Sequence, residues 1–284
     1  MKEDVDFMEV IRYYVHRVIG LDVPLADSPR PAFAYEPERE MHLPMTHWSL
    51  SEFLGEVFVK KAPEELVFSI LLGLAYHEAG HALSGEDNNT KPHVLNNIIC
   101  DANDISFVPK RFPGSIPFTL TLFDVSLKSC EDIAKLELSS KKEQLIALLN
   151  IAVMYMRHLK FPFDNKLVRN LPDDHQLKNR FDKLVPILRQ ARKAKITERP
   201  ELVREFYEII KDLWDDNIEP QIYTLILKPL SGGDAGKMTQ AAAAKGVLKS
   251  AGRELKRIKK AIEENPHWHE PKGDEVIAVT EMSA

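Results

Sequence analysis

The chain has 284 residues, 44% hydrophobic and 29% charged, enough to bury a sizeable core and ordinary for a soluble globular protein. A net charge of -5 argues against nucleic-acid binding by the whole surface. Two cysteines, Cys100 and Cys130, exclude a disulfide framework, and the acidic N-terminus MKEDVDFMEV lacks a secretion signal's layout, so a cytoplasmic protein is expected.

Phe7, Val10, Ile11, Tyr14, Val15, Val18 and Ile19 recur at helical spacing and predict an amphipathic helix over Asp6–Ile19, stopped by Gly20. The following stretch to Pro44 is proline-rich and irregular, with Arg39–Leu43 as a short strand at its end. HWSLSEFLGEVFVKK is compatible with helix or strand. Pro63 fits a first helical position, with Glu64 and Glu65 at the positive end of a helix that runs to about Leu83 and stops at Gly85. Its apolar run, Leu66–Ala75, is too short for the ~20 residues that span a bilayer. After the polar loop EDNNTKP, HVLNNIICDANDISFV predicts a second helix ending before Pro109, and KRFPGSIPFTLTLF reads as loop, with room for a short strand.

A capping box of Ser140 and Glu143 opens the helix QLIALLNIAVMYMRHL, and further helices are expected near His175–Ala194 and Pro200–Trp214. PLSGGDAGK reads as a linker before a basic, alanine-rich helix over Thr239–Glu264. The expected fold class is α+β, predominantly helical. Its division is a helix-rich domain over residues 1–230, a linker over 231–237, the basic helix over 238–265 and a tail over 266–284.

The chemistry concentrates in YHEAGHALSG. Residues four apart share a helix face with Cβ atoms about 6 Å apart, so His77 and His81 can aim two imidazoles at one cation, and zinc accepts both. Glu78 is turned by about 100° to the edge of that site, where it can take a proton from water activated by the metal. The competing reading is two hydrogen-bonded core histidines beside a solvent-facing glutamate. A catalytic site needs a third protein ligand and an open position. NNIICDANDISF offers Asp101, with Asp104 one turn on to accept a histidine ring N–H; the reversed assignment has similar spacing, and both could instead face solvent. Cys100, beside Ile98 and Ile99, reads as a buried, inert thiol rather than a ligand.

With REMHLP, HEAGH and NIICD in this order, the segment from about residue 35 to 110 resembles the zincin-type metallopeptidase domain found beside von Willebrand A-like domains. The resemblance implies a zincin-like core, one Zn2+ per chain held by His77, His81 and Asp101, Glu78 as general base, and a peptide or protein substrate. The von Willebrand-type half, with its metal-binding serine motif, is not recognisable here. DANDISFVP also resembles the E-A-N-x-F-A…P segment of the repressor-cleaving, ImmA-like peptidases, and that likeness selects Asp101 again, in place of their glutamate.

The oxyanion formed in peptide hydrolysis needs a further donor. Tyr76, His42, His47 and His93 are candidates, and His93 is favoured because the loop it ends lies between the two ligand helices; it reads equally as a solvent-exposed helix start. If Arg39–Leu43 is an edge strand, a substrate could add to it as a further strand. The basic C-terminal helix could dock a protein partner, against the plainer reading of a solvated helix packing one aliphatic stripe on the body. GGDAGKMT lacks the spacing and the hydroxyl residue of a phosphate-binding loop. His267 and His269, two apart, suit a metal only if the tail is extended; adventitious binding is the plainer reading, and an approach to the zinc as an inhibitory ligand is the alternative. The alternative to an enzyme is an inactive module with a structural metal.

Overall fold

A computed structural model describes residues 6–34, 39–85, 90–129, 138–160, 177–214, 229–265 and 268, with side chains described except at 127–129 and 157–160. The fold is α+β and predominantly helical, with one small sheet.

Helix α1 spans Met8–Tyr13 and continues as a π-helical turn, Tyr14–Ile19, that ends at Gly20 with φ 75°. Strands β1 (Leu25–Asp27), β2 (Ala32–Ala34) and β3 (Glu40–Leu43) form a sheet of order β1-β3-β2, with β1 parallel and β2 antiparallel to β3. Met41 is in register with both Leu25 and Phe33. The strand expected at Arg39–Leu43 therefore exists but is central, and substrate addition along it is ruled out because both its edges are occupied.

The ambiguous segment after the sheet is two helices, α2 (His47–Leu54) and α3 (Glu56–Lys61), parted at Gly55 with φ 97°. Thr46 caps α2, and Asp27 fixes that corner. Its carboxylate accepts hydrogen bonds from Met45 N at 2.7 Å, Thr46 N at 3.0 Å, Ser49 Oγ at 2.6 Å and Thr46 Oγ1 at 2.7 Å. Partial burial pushes the Asp27 carboxyl up, but the bonds from Ser49, Thr46 and Met45 together hold it below the usual aspartate range.

Helix α4, Glu64–Ser84, is apolar on nearly every face and forms the centre of the molecule. Its 21 residues would measure about 31 Å at 1.5 Å per residue, so length does not exclude a membrane span as the short apolar run suggested. Its surroundings decide instead: 89% of its most apolar window is buried in the protein, against the helices His93–Arg111, Ile116–Ser129 and Val247–Glu264. Helix α5, His93–Arg111, runs through Pro109 rather than ending before it. That proline falls in the last turn, where a missing N–H forfeits a single bond. The segment expected as loop is a 3-10 turn, Pro113–Ser115, followed by α6 (Ile116–Ser129). Its prolines sit before and within the first helical turn, where they are tolerated, and Phe118, Leu122 and Val125 turn inward.

Helix α7 (Lys141–Lys160) opens with the expected box, Glu143 N donating to Ser140 Oγ at 3.1 Å and Ser140 N to Glu143 Oε2 at 2.8 Å. Helices α8 (Lys178–Ala191) and α9 (Arg199–Ile210) follow. The stretch read as a linker is instead the start of α10, Gly232–Ala244, whose N-cap Ser231 accepts from Asp234 N at 3.2 Å. The glycines misled, because the cap and Asp234 offset their poor helix propensity. The basic helix is likewise broken, at Gly246 with φ 71°, so that α11 spans Val247–Glu264. Val247, Ala251, Leu255 and Ile258 face the body while Lys249, Arg253, Lys256 and Lys260 face outward, as the plainer reading of this helix has it. Of the tail, Trp268 is described, edge-on to Tyr13 at 5.1 Å; His267 and His269 lie outside the described residues.

The buried side chains form two hydrophobic clusters. One gathers α1, the sheet, α2, α3, α4, most of α6, α10 and α11; the other gathers α7, α8, α9 and Phe123 of α6. Helix α5 joins them, with Val108 in the first and Val94, Leu95, Ile98, Ile99, Ala102 and Ile105 in the second.

Candidate metal centre

The C-terminal half of α4 carries His77, Glu78 and His81 at one end of the core, and α5 crosses beside it. Gly80 permits that approach. A Cβ there would stand 2.8 Å from Val108 Cγ2, closer than carbon atoms tolerate, and 3.1 Å from Asp104 Cβ, a tight contact. Glycine inside a helix costs about 1 kcal/mol relative to alanine, and here it admits the second helix.

Across this contact, one oxygen of Asp101 meets both imidazoles. Asp101 Oδ1 is 3.1 Å from His81 Nε2 and 3.5 Å from His77 Nε2. The two rings lie edge to face, with centroids 4.8 Å apart. The ligand atoms of His77, His81 and Asp101 all lie within 4.8 Å of one another, the one such group among the described residues. Asp104 stands behind His81, its Oδ2 3.2 Å from Nδ1, leaving Nε2 directed at the cluster. Asp101 thus faces both rings and Asp104 faces the back of one, the first of the two arrangements that the spacing allowed.

These donors fit a zinc ion. Ligands ~2.0–2.1 Å from a tetrahedral centre are about 3.3–3.4 Å from each other; the two pairs that Asp101 makes stand at 3.1 and 3.5 Å, and all three donor atoms lie within 4.8 Å. Two imidazoles and a carboxylate are borderline and hard donors of the kind zinc accepts, and a carboxylate behind one imidazole fixes that ring's tautomer.

Glu78 is 3% exposed, so the solvent-facing glutamate of the competing reading is excluded. His81, Asp101 and Asp104 are buried as well, while His77 is partly open to solvent. These three acids are the buried carboxylates among the described residues. Arg39, just before β3, donates from Nη2 to the Ala82 carbonyl at 3.0 Å and lies over the Phe33 ring at 5.7 Å, so it satisfies a terminal carbonyl of α4 one residue past His81.

The remaining candidates are not brought to the cluster. His93 is the exposed first residue of α5, eight residues and thus about 12 Å along the axis from Asp101, because the helix begins at His93 itself. His42 pairs with Glu40 at 3.0 Å. Tyr76 is buried, its hydroxyl 2.7 Å from that of Tyr14 and its ring tilted against Phe112. Burial pushes both phenols above the ordinary tyrosine value, so both remain protonated. Cys100 is fully buried and outside the cluster, as expected. His47 begins α2.

Compared with protein-family models, curated proteins and solved structures, the chain gives no match.

Proposed function

We propose that this protein is a zinc-dependent metallopeptidase with a zincin-like core, acting on peptide or protein substrates in the cytoplasm. The observation that carries the reading is the sharing of Asp101 Oδ1 by two imidazole nitrogens on consecutive turns of α4. Three donors converge there from two helices, whereas a structural zinc site is closed by four protein ligands.

His77, His81 and Asp101 would hold the ion, which when bound polarises a carbonyl and lowers the pKa of water towards ~7. Glu78 acts as general base and then general acid: it takes a proton from the attacking water and returns it to the leaving amine. Its burial places that carboxylate inside the protein rather than among the solvated surface acids. Asp104 holds the His81 ring so that Nε2 keeps its lone pair for the ion. The half-open flank at His77 is the side from which a substrate carbonyl could enter.

The test compares wild type with Glu78→Gln on a peptide library, with zinc content measured on both. The expected result is about one zinc per chain in each and hydrolysis in wild type alone. Equal hydrolysis by both proteins would remove Glu78 from the chemistry. Zinc with no hydrolysis in either would favour the inactive module, whose partner surface would be the outward row Lys249, Arg253, Lys256 and Lys260 on α11.

A further inference from the structure

Arg199 is 4% exposed, the one buried arginine or lysine among the described residues. It opens α9, at the positive end of that helix, where a cation is disfavoured. A buried guanidinium in an unfavourable helix position has to be held by what its donors reach. Nη1 donates to the Gly85 carbonyl at 2.8 Å and to Cys100 Sγ at 3.5 Å, and Nη2 donates to Asn103 Oδ1 at 3.2 Å.

Those acceptors lie on or next to the two helices that carry the metal ligands. Gly85 ends α4, four residues after His81, and Arg199 there satisfies a terminal carbonyl at the negative end of the helix. Cys100 and Asn103 each precede an aspartate of the site, Asp101 and Asp104, and so present the neighbouring face of α5. Asn103 is itself tied by Nδ2 to the Ala194 carbonyl at 3.2 Å, in the connection between α8 and α9.

We infer that Arg199 is the positioning residue of the metal centre, its fork fixing α4 against α5 so that His81 and Asp101 keep their separation. The inference rests on the metallopeptidase reading for the presence of zinc, but it assigns a residue from α9, outside the segment that carries the motifs. A guanidinium suits the task because its planar set of donors reaches several acceptors at fixed angles, which a lysine ammonium cannot reproduce.

The experiment measures zinc affinity by competition with a chromogenic chelator, and the visible spectrum after cobalt substitution, for wild type, Arg199→Met, Arg199→Lys and Asn103→Ala. Circular dichroism identifies the folded variants. The expected result is a loss of about tenfold or more in zinc affinity for both Arg199 variants, at the lower end of what supporting residues of metal sites contribute. Asn103→Ala should show a smaller loss, and the cobalt band should change in all three. A residue with only a structural role would lower the unfolding temperature and leave the affinity and spectrum of the folded protein unchanged. Wild-type affinity in a folded Arg199→Met or Arg199→Lys protein overturns the inference; if neither folds, wild-type affinity in Asn103→Ala overturns it. A wild-type chain that takes up no zinc overturns the metal reading and the inference together.

Discussion

Gly80 and Asp104 touch through an absent side chain: a Cβ on the glycine would lie 3.1 Å from Cβ and 3.2 Å from Cγ of the aspartate. This contact limits how closely α4 and α5 can approach. Gly80→Ala should therefore separate α4 from α5 and weaken zinc binding as well as lowering stability by about 1–3 kcal/mol, the usual cost of overpacking. Gly73→Ala serves as the comparison. Its Cβ would meet the Phe118 carbonyl oxygen at 2.6 Å, so it strains the contact with α6, two turns away from His81. Denaturant melts and chelator competition on both variants should show comparable destabilisation but loss of metal affinity for Gly80→Ala alone.

The two aspartates of α5 are expected to fail differently. Asp101→Ala removes a proposed ligand, and zinc should not be retained through gel filtration. Asp104→Ala removes the partner of His81 Nδ1, and such losses cost about 10–100-fold in metal affinity. Zinc content and dissociation constants of the two variants check the order; the reverse order would interchange the two roles.

Asp27 gives a pH-dependent prediction away from the metal. Its folded pKa lies below the unfolded value of ~3.9, so its contribution to stability is present above that value and is lost as pH falls through the folded pKa. Asp27→Asn should destabilise the protein by about 1–3 kcal/mol near neutrality, since the donors of Met45, Thr46 and Ser49 lose an ionised acceptor. Urea melts across pH should show the gap between wild type and variant constant above about pH 5 and shrinking below about pH 4. A gap that widens on acidification would contradict the sign.

The site was largely legible because its geometry is local. His77 and His81 are four residues apart on one helix, and Asp101 and Asp104 carry the same information on the next, so helical periodicity alone brings each pair to one face. What sequence left open was which aspartate lies nearer, a matter of how α4 and α5 cross, and that depends on Gly80 and Val108. His93 failed as a candidate because adjacency to a loop says nothing about depth along a helix. Arg199 has a sequence signal of its own: an arginine at the start of a helix opposes the dipole and marks a side chain held by something else.

Elsewhere, glycine and proline sit at helix starts rather than in breaks. Ser231 and Asp234 cap a helix straight through GGDAG, and Pro113 and Pro117 flank a helix start rather than a loop. The order of the sheet was beyond reach, since three strands of three or four residues carry too little alternation to say which is in the middle.

Helix α5 is the common wall of both apolar clusters, and this constrains how the molecule could be divided. A fragment cut after Arg111 would keep every motif and still strip the outer side of α5, leaving Leu95, Ile98, Ile99 and Ala102 facing water. The segment that bears the chemistry is therefore not a portable unit. Any rearrangement of the gene that moved it would have to carry α7, α8 and α9 along, and shortening the protein to residues 35–111 should yield aggregates rather than a smaller folded protein.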